Sequence, residues 1–315
     1  MSGIEMIDKC DLCGAKSDRF ETLVRELPGE GSVLSKLGVS QAYTTVLCRN
    51  CGWVFKPGIL SLSQLEDLYG EFGGNATVTS ENQRLTDIRS EEQYEIIKGM
   101  VDDFHHIKKV LDVGGGIGQA TKTFAEKGTD VTVLDMVGGD LVHDNMSLIK
   151  SSIDDYSVSE VYDLVVMNHV AEHVWDPSRM FIKANTMLRA DGYLYVEVPF
   201  ELITPVIKRK LGDTCHVGYF SKNSLRVFLK RSGFEVLDIG PALGRYNARR
   251  VMILRAIAKK LSSEDAARLG CEFNEADFPG SFSRYGLLKE IFNTKQMMVM
   301  IGFLVSRSCQ SFRRA

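Results

Sequence analysis

One stretch constrains the fold of this 315-residue chain more than any other. In residues 110–118 a short apolar segment passes into closely spaced glycines, and a helix-like stretch, 119–127, follows. This order is typical of a buried strand, a tight turn and a helix N-terminus. Glycine tolerates the unusual backbone angles of such a turn and lets a ligand approach, and the free N–H groups favour a polar or anionic group. The stretch predicts a nucleotide-like binding site.

From residue 108 onward, apolar strand-like segments alternate with helix-like segments. Such alternation predicts an α/β fold with a mostly parallel sheet covered by helices on both faces. The last two strands have no convincing helix between them and could form an antiparallel hairpin at one edge. The predicted strands are 108–113, 130–135, 147–150, 161–168, 192–198, 234–239 and 249–256. The predicted helices are 117–127, 140–146, 177–189 and 221–232, with a possible extra one around 202–210.

Two C-x-x-C pairs precede this region. Cys10 and Cys13 are separated from Cys48 and Cys51 by 34 residues, and glycine follows the second cysteine of each pair. Two matched pairs predict four thiolates around one zinc ion, and such a site has no open position, so its metal holds structure. A pair of disulfides and a redox pair are the alternatives. An odd total of seven cysteines without an export signal disfavours the first, and the matched pairs disfavour the second.

The glycine spacing separates two cofactor classes only weakly. The dinucleotide pattern G-x-G-x-x-G would need glycine at Gln119. An acid-x-G-x-G-x-G spacing does fit, beginning at Asp112. Asp135, after the second predicted strand, supplies the acid that both classes use for a ribose. On the residues alone, both classes stay open.

Two downstream segments resemble signatures of the class I S-adenosylmethionine methyltransferases. Residues 162–177 are similar to their fourth strand, and 187–199 to the turn before their fifth strand, with Ala190 and Asp191 replacing the commoner Pro and Gly. The resemblance covers about residues 110–239 and implies a Rossmann-like seven-stranded, mostly parallel sheet with S-adenosylmethionine as methyl donor. A small N-terminal zinc-ribbon-like module and a C-terminal helical extension would complete the chain.

The same resemblance implies a cofactor site along the strand ends. The glycines would let the backbone pass close to the methionine part of the cofactor. Asp112 would lie near the amino group of that part and act on it directly or through the turn. Asp135 would bind the ribose, Ile153 and its neighbours would line the adenine, and Asn168 would face the sulfonium. The implied cofactor-binding residues are Asp112, Gly114, Gly116, Gly118, Asp135, Ser152, Ile153 and Asn168.

Methyl transfer requires removal of a proton from the acceptor, and histidine is the natural base. His216 follows the fifth predicted strand, and loops at the carboxyl ends of parallel strands form the site in open α/β sheets. His169 directly follows the fourth predicted strand and is a second candidate; His173 is more often an orienting or packing residue. Tyr69, in a predicted lid, is a third catalytic candidate.

Together with the cysteine module, the segment around His216 resembles the sugar C-methyltransferases acting on nucleotide-linked keto-sugars. Their motif reads Tyr-x-Glu-His-x-x-Tyr-Phe-Ser, and its histidine is thought to be the base. Matching residues here are His216, Tyr219, Phe220 and Ser221. Asp213 stands where that family has Tyr, and Cys215 where it has Glu.

Four units are therefore predicted along the chain. Residues 1–58 form a zinc-binding module, 59–107 a helical connector or lid, 108–257 the methyltransferase domain, and 258–315 a helical extension. A net charge of −3 gives no reason to expect a nucleic-acid partner. The longest apolar run near the end, 297–305, is about half of a membrane span. With no signal peptide, a cytoplasmic location is expected.

The leading hypothesis is a zinc-containing methyltransferase acting on a nucleotide-linked sugar, glycan precursor or related small molecule, on carbon or oxygen. Three alternatives stay open. They are an RNA methyltransferase with a zinc ribbon, a non-catalytic S-adenosylmethionine- or zinc-binding interaction protein, and a nicotinamide oxidoreductase. The oligomeric state is open.

Overall fold

The computed structural model describes residues 7–36, 38–39, 42–58, 80–157, 161–202, 215–246 and 249–265. Its strands, in chain order, are β1 (Phe20–Glu26), β2 (Tyr43–Cys48), β3 (Val54–Phe55), β4 (Lys109–Val113), β5 (Asp130–Asp135), β6 (Met146–Lys150), β7 (Tyr162–Asn168), β8 (Leu188–Pro199), β9 (Gly218–Tyr219), β10 (Phe234–Tyr246) and β11 (Arg249–Lys260). Its α-helices are α1 (Val33–Lys36), α2 (Ser80–Met100), α3 (Lys122–Glu126), α4 (Pro177–Met187) and α5 (Lys222–Arg231).

Seven strands form the central sheet, in the order β10-β11-β8-β7-β4-β5-β6. Pairing is parallel from β8 to β6, and β11 runs antiparallel to both β8 and β10. All seven predicted strands are present, and the prediction of a mostly parallel seven-stranded sheet is confirmed. The final hairpin is also confirmed: β10 forms the edge, and β11 lies between it and β8.

Both faces of the sheet are buried, which explains the continuous apolar strands. In β4, Leu111 and Val113 belong to one core and Val110 to the other. The first core also contains side chains of α4, α5 and the N-terminal segment, while the second contains side chains of α2 and α3. The N-terminal segment and the connector therefore pack on opposite faces of the sheet.

Two helix predictions are wrong in part. The predicted helix 117–127 shortens to α3, because the chain is still turning at Gly118, whose φ is +82°. The stretch 140–146 is not helical and leads through turns into β6. By contrast, α4 and α5 lie where they were predicted, and Ser221 begins α5 through a capping box with Ser224. Residues 203–210 of the possible extra helix lie outside the described residues.

A second sheet joins the N-terminal segment to the region of His216. Its order is β1-β2-β3-β9, and β9 comes from the segment after β8. Val54 pairs with Tyr219, and Lys56 N–H donates to the Val217 carbonyl at 2.9 Å. The Trp53 ring stacks on Phe55 of β3 and contacts Phe228 of α5, with ring centroids 4.5 Å and 5.1 Å apart. The described residues before position 59 thus share a sheet and a core with the segment carrying His216.

The predicted domain boundaries stay predictions. The described part of the C-terminal extension reaches only residue 265, and β11 runs to Lys260, slightly past the predicted boundary at 257. Among the described residues, no helix is long and apolar enough to cross a membrane.

Candidate active site and metal centre

The four N-terminal cysteines converge on one point. The Sγ atoms of Cys10 and Cys51 lie 3.6 Å apart, and so do those of Cys13 and Cys48. Each pair turns back through a glycine: Gly14 and Gly52 have φ of +72° and +80°. Four sulfur atoms bound tetrahedrally to one zinc ion lie about 3.8 Å from one another. The donor set and its spacing fit a structural zinc ion.

The glycine turn after β4 has three residues at positive φ. A Cβ at Gly114 would lie 2.6 Å from Val170 Cγ2, and one at Gly118 would lie 2.5 Å from Met146 Cε. These two glycines are required by close packing. A Cβ at Gly116 would meet nothing within 4 Å, although its φ is +60°. Gly116 therefore faces open space at the turn, which is where a ligand could approach the backbone.

Asp112 lies beneath this turn and is fully buried. Its Oδ2 accepts a 2.6 Å hydrogen bond from the Thr121 hydroxyl, and a Cβ at Gly115 would lie 2.4 Å from its Cγ. Burial raises the pKa of Asp112 to about 7, although the Thr121 hydroxyl lowers it. Of the two predicted roles, this placement favours the indirect one, in which Asp112 supports the glycine turn from beneath and does not contact the cofactor itself.

Asp135, at the end of β5, is already held by the backbone. Its carboxylate accepts hydrogen bonds from the N–H groups of Gly116 at 2.8 Å, Val137 at 2.9 Å and Gly138 at 3.1 Å. A carboxylate can accept about four hydrogen bonds, so capacity for about one more donor remains. Asp135 is thus fixed against the glycine turn in a position that suits a ribose hydroxyl.

The predicted adenine-lining segment follows β6. The Ser152 hydroxyl donates to Asp155 Oδ2 at 2.6 Å and accepts from the Asp155 N–H at 3.1 Å, so it holds its own turn. Ile153 is partly buried against the first core. The next residue, Asp154, pairs with Arg179 at 2.9 Å.

Two unusual features mark the end of β7. Both amide atoms of Asn168 are buried, and neither has a hydrogen-bond partner within the described part of the chain. Buried polar groups are nearly always satisfied, so this amide suits a ligand group. The next residue, His169, has φ of +55°, and its N–H donates to the Glu197 carbonyl at 2.8 Å. Left-handed backbone at a non-glycine residue is often found at functional sites.

A cluster of histidines and carboxylates lies beyond this strand end. Glu172 is buried and faces His169 Nδ1 at 3.4 Å and His173 Nε2 at 3.8 Å. Burial raises the pKa of Glu172, but His169, His173 and His216 together lower it by more, so the pKa lies below its ordinary value. Burial lowers the pKa of His173 to about 4.

His216 is joined to the same cluster. Its Nδ1 lies 2.6 Å from Glu201 Oε2, and its ring contacts the His173 ring edge-to-face at 4.7 Å. Burial lowers the pKa of His216, but the Glu201 carboxylate raises it by more, so the pKa lies above its ordinary value. The Val217 N–H donates to the Glu172 carbonyl at 2.7 Å and fixes the segment.

Glu201 is a candidate site residue that the sequence did not indicate. It lies two residues beyond the end of β8, and a carboxylate near that strand end was the only available signal. The resembled sugar family has a glutamate next to its histidine, where this chain has Cys215. Burial raises the pKa of Cys215 to about 11. In this fold Glu201 supplies the carboxylate from another element.

Most of the predicted site residues follow the carboxyl ends of β4, β5, β7 and β8. This edge brings together the glycine turn, Asp135, Asn168 and His169, and the loop of His216 reaches it through Glu201. Tyr69 lies outside the described residues.

The strand order, the antiparallel β11, the glycine turn after β4 and the acid after β5 are the arrangement of the class I methyltransferase fold. Residues 83–239 match the family model described as a methyltransferase domain. The methyltransferase class predicted from the sequence is thereby confirmed.

Curated relatives align only in part. The ubiquinone biosynthesis O-methyltransferase of Pseudomonas entomophila (strain L48) is 27% identical over 156 residues, which is 42% of this chain and 66% of the relative. The protein of the same name from Vibrio vulnificus (strain YJ016) is 31% identical over 99 residues, 28% of this chain and 42% of the relative. The chain thus spans 42% to 66% of the length of these relatives.

Similar solved structures are more distant in sequence. One is a 1,6-didemethyltoxoflavin-N1-methyltransferase of Burkholderia thailandensis with bound S-adenosylhomocysteine. It is 16% identical with a TM-score of 0.47, over 67% of this chain and 96% of that one. A second is a glycopeptide N-methyltransferase complexed with S-adenosylmethionine. It is 15% identical with a TM-score of 0.42, over 55% and 94% of the two chains.

Proposed function

We propose that this chain transfers a methyl group from S-adenosylmethionine to a nucleotide-linked sugar, a glycan precursor or a related small molecule. The observation that carries the proposal is the His216–Glu201 pair, 2.6 Å apart, at the carboxyl edge of a methyltransferase sheet. The sugar class rests on the motif around His216 and on its combination with a four-cysteine module. His169, at the end of β7, is a second candidate for contact with the acceptor.

The cofactor would supply a methyl group on a sulfonium with a good leaving group. The residues that would hold it are the glycine turn, with Gly116 facing open space, Asp135 for the ribose and Asn168 with its buried amide. Asp112 would act from beneath the turn. Ser152 and Ile153 would border the adenine. The open space at Gly116 and the unsatisfied Asn168 amide support this assignment.

His216 would remove the proton from the acceptor. For a hydroxyl, imidazole Nε2 takes the O–H proton as the oxygen attacks the methyl carbon. For a keto-sugar, it takes the proton next to the carbonyl. In both cases Glu201 holds Nδ1–H and stabilises the imidazolium, as an orienting carboxylate does in a catalytic triad. The acceptor gains the methyl group and His216 keeps the proton until solvent removes it.

Zinc in the four-cysteine site would have no chemical role in this reaction, because four thiolates leave no open position. Its role would be indirect. β3 of the cysteine-bearing sheet pairs with β9, two residues beyond His216. The metal would therefore stabilise the sheet that carries the base.

The decisive experiment is a screen with labelled S-adenosylmethionine. The first set of acceptors is nucleotide sugars with and without a 4-keto group. Phenolic acceptors form a second set, because the curated relatives are named ubiquinone biosynthesis O-methyltransferases. His216→Ala is expected to lower turnover by about 10²- to 10⁴-fold and to leave S-adenosylhomocysteine binding intact. Glu201→Gln is expected to lower it less.

The matched control is His106→Ala, because His106 is exposed and follows α2 at the opposite end of β4. It should retain full turnover. Full turnover in His216→Ala would remove His216 from its role. Failure of S-adenosylhomocysteine to raise the melting temperature would contradict the cofactor assignment, since a ligand that binds only the native state must stabilise it. Labelling of phenolic acceptors alone would overturn the sugar class.

A further inference from the structure

A second group of metal-binding side chains lies beside the proposed base. His173, Cys215 and His216 each offer one nitrogen or sulfur atom, and these atoms lie within 4.8 Å of one another. Ligands of one tetrahedral zinc ion are separated by about 3.4–3.8 Å. Side-chain shifts of about 1 Å would therefore bring the three atoms onto a common metal. The group is separate from the four N-terminal cysteines.

The three side chains are held by connected backbone. His173 ends the 3₁₀ turn Ala171–His173, and the Val217 N–H bonds to the Glu172 carbonyl within that turn. The side chains of His173 and His216 are 14% and 18% exposed. The cluster is thus protected by the fold but open to a small ion.

Two carboxylates surround the cluster. Glu201 contacts Nδ1 of His216, and a carboxylate on one imidazole nitrogen typically orients the other towards a metal. Glu172 is 1% exposed, and the groups that face its carboxylate are the His169 imidazole at 3.4 Å and the His173 imidazole at 3.8 Å. A buried carboxylate with so few partners is costly unless a positive charge lies close by.

We propose that His173, Cys215 and His216 bind a divalent metal ion of the zinc class, with the fourth position open. Two imidazoles and one thiolate are ligands that zinc prefers. On binding, the Cys215 thiol releases its proton to solvent and its sulfur bonds to the metal. The metal takes the lone pair with which His216 would accept a proton, so the occupied site is inactive in methyl transfer. That last consequence rests on the proposed function, but metal binding itself does not.

The test is a titration with Co²⁺ of the full chain whose four-cysteine site already holds zinc. Wild type is expected to bind one further equivalent and to show thiolate-to-cobalt absorption. Cys215→Ser is expected to lose that absorption. Glu201→Gln is expected to keep it with about 10- to 100-fold weaker affinity, because a residue that orients a ligand tunes the site without forming it.

His105→Ala is the matched control, because His105 is exposed, and it should bind cobalt as wild type does. Melting curves recorded without added metal identify any variant that fails to fold; Glu201→Gln then provides the test. The proposal is overturned if wild type binds no second equivalent. It is also overturned if the absorption persists in Cys215→Ser, which would assign it to exchange into the four-cysteine site. Cobalt binding without loss of turnover would contradict only the role of His216 as base.

Discussion

Asp112→Asn is expected to change how the stability of the protein depends on pH. Asp112 lies under the glycine turn with 0% exposure, and burial raises its pKa to about 7 from 3.8. Between about pH 4 and pH 7 the unfolded chain has released this proton while the folded chain still holds it. The free energy of unfolding therefore falls as the pH rises through this window. Asparagine has no proton to release and removes this dependence.

The magnitude follows from the two pKa values, 3.8 and about 7. At pH 5 the buried carboxyl reduces the free energy of unfolding by about 1.5 kcal/mol, and at pH 8 by about 4 kcal/mol. The penalty is absent below the unfolded pKa and complete above the folded one. Relative to wild type, Asp112→Asn should therefore gain about 2.5 kcal/mol between pH 5 and pH 8. The asparagine Oδ1 can accept the Thr121 hydrogen bond in place of the carboxylate. Any other effect of the substitution on the free energy of unfolding should therefore be the same at every pH.

Urea unfolding of both proteins without cofactor, at pH 5, 6, 7 and 8, measures this difference. Thr121→Val is the companion variant, because it removes the hydroxyl that lowers the pKa of Asp112, and it should extend the loss of stability to higher pH. A difference between wild type and Asp112→Asn that stays constant within about 0.5 kcal/mol would refute the reasoning. It would mean that Asp112 is ionised in both states and contacts a positive charge.

Two further variants test the cofactor turn and the metal module. Gly116→Ala should fold but bind S-adenosylhomocysteine at least tenfold more weakly, because its methyl group enters open space at the turn. Gly128→Ala, with φ of +85° and nothing within 4 Å, carries similar backbone strain away from the site and should bind normally in calorimetry. Cys48→Ser should lose the bound zinc, about one ion per chain by metal analysis, and turnover, while cofactor binding is retained. Equal loss of cofactor binding in both glycine variants, or full turnover without zinc, would contradict these expectations.

Much of the fold could be predicted because its signals are local. Continuous apolar strands located the sheet, and closely spaced glycines located the turn after β4. The helix predicted over 140–146 was wrong because spacing alone cannot distinguish a short helix from a series of turns. The helix predicted at 117–127 was too long because the glycine turn uses its first residues.

The candidate site could be predicted only where it depends on single strand ends. Asp112 was assigned to a ligand's amino group, directly or through the turn, and only the structure shows that it lies beneath the turn. The pairing of His216 with Glu201 joins residues 15 apart on different elements, and no spacing rule connects them. β9 is a two-residue strand, too short to produce a periodic pattern. Both the contact between His216 and Glu201 and the pairing of β3 with β9 depend on the tertiary structure, so no local sequence pattern predicts them.

The pairing of β3 with β9 also explains why a metal without a chemical role should matter for catalysis. Two residues of β-structure have no stability of their own, so the segment carrying His216 depends on the sheet to which it pairs. That sheet contains Cys48 at the end of β2 and belongs to the first core. Part of the packing under the cofactor turn, where a Cβ at Gly118 would meet Met146 and Val133, belongs to the second core. Loss of zinc should therefore displace the base while the methyl donor still binds, so turnover and cofactor affinity should separate.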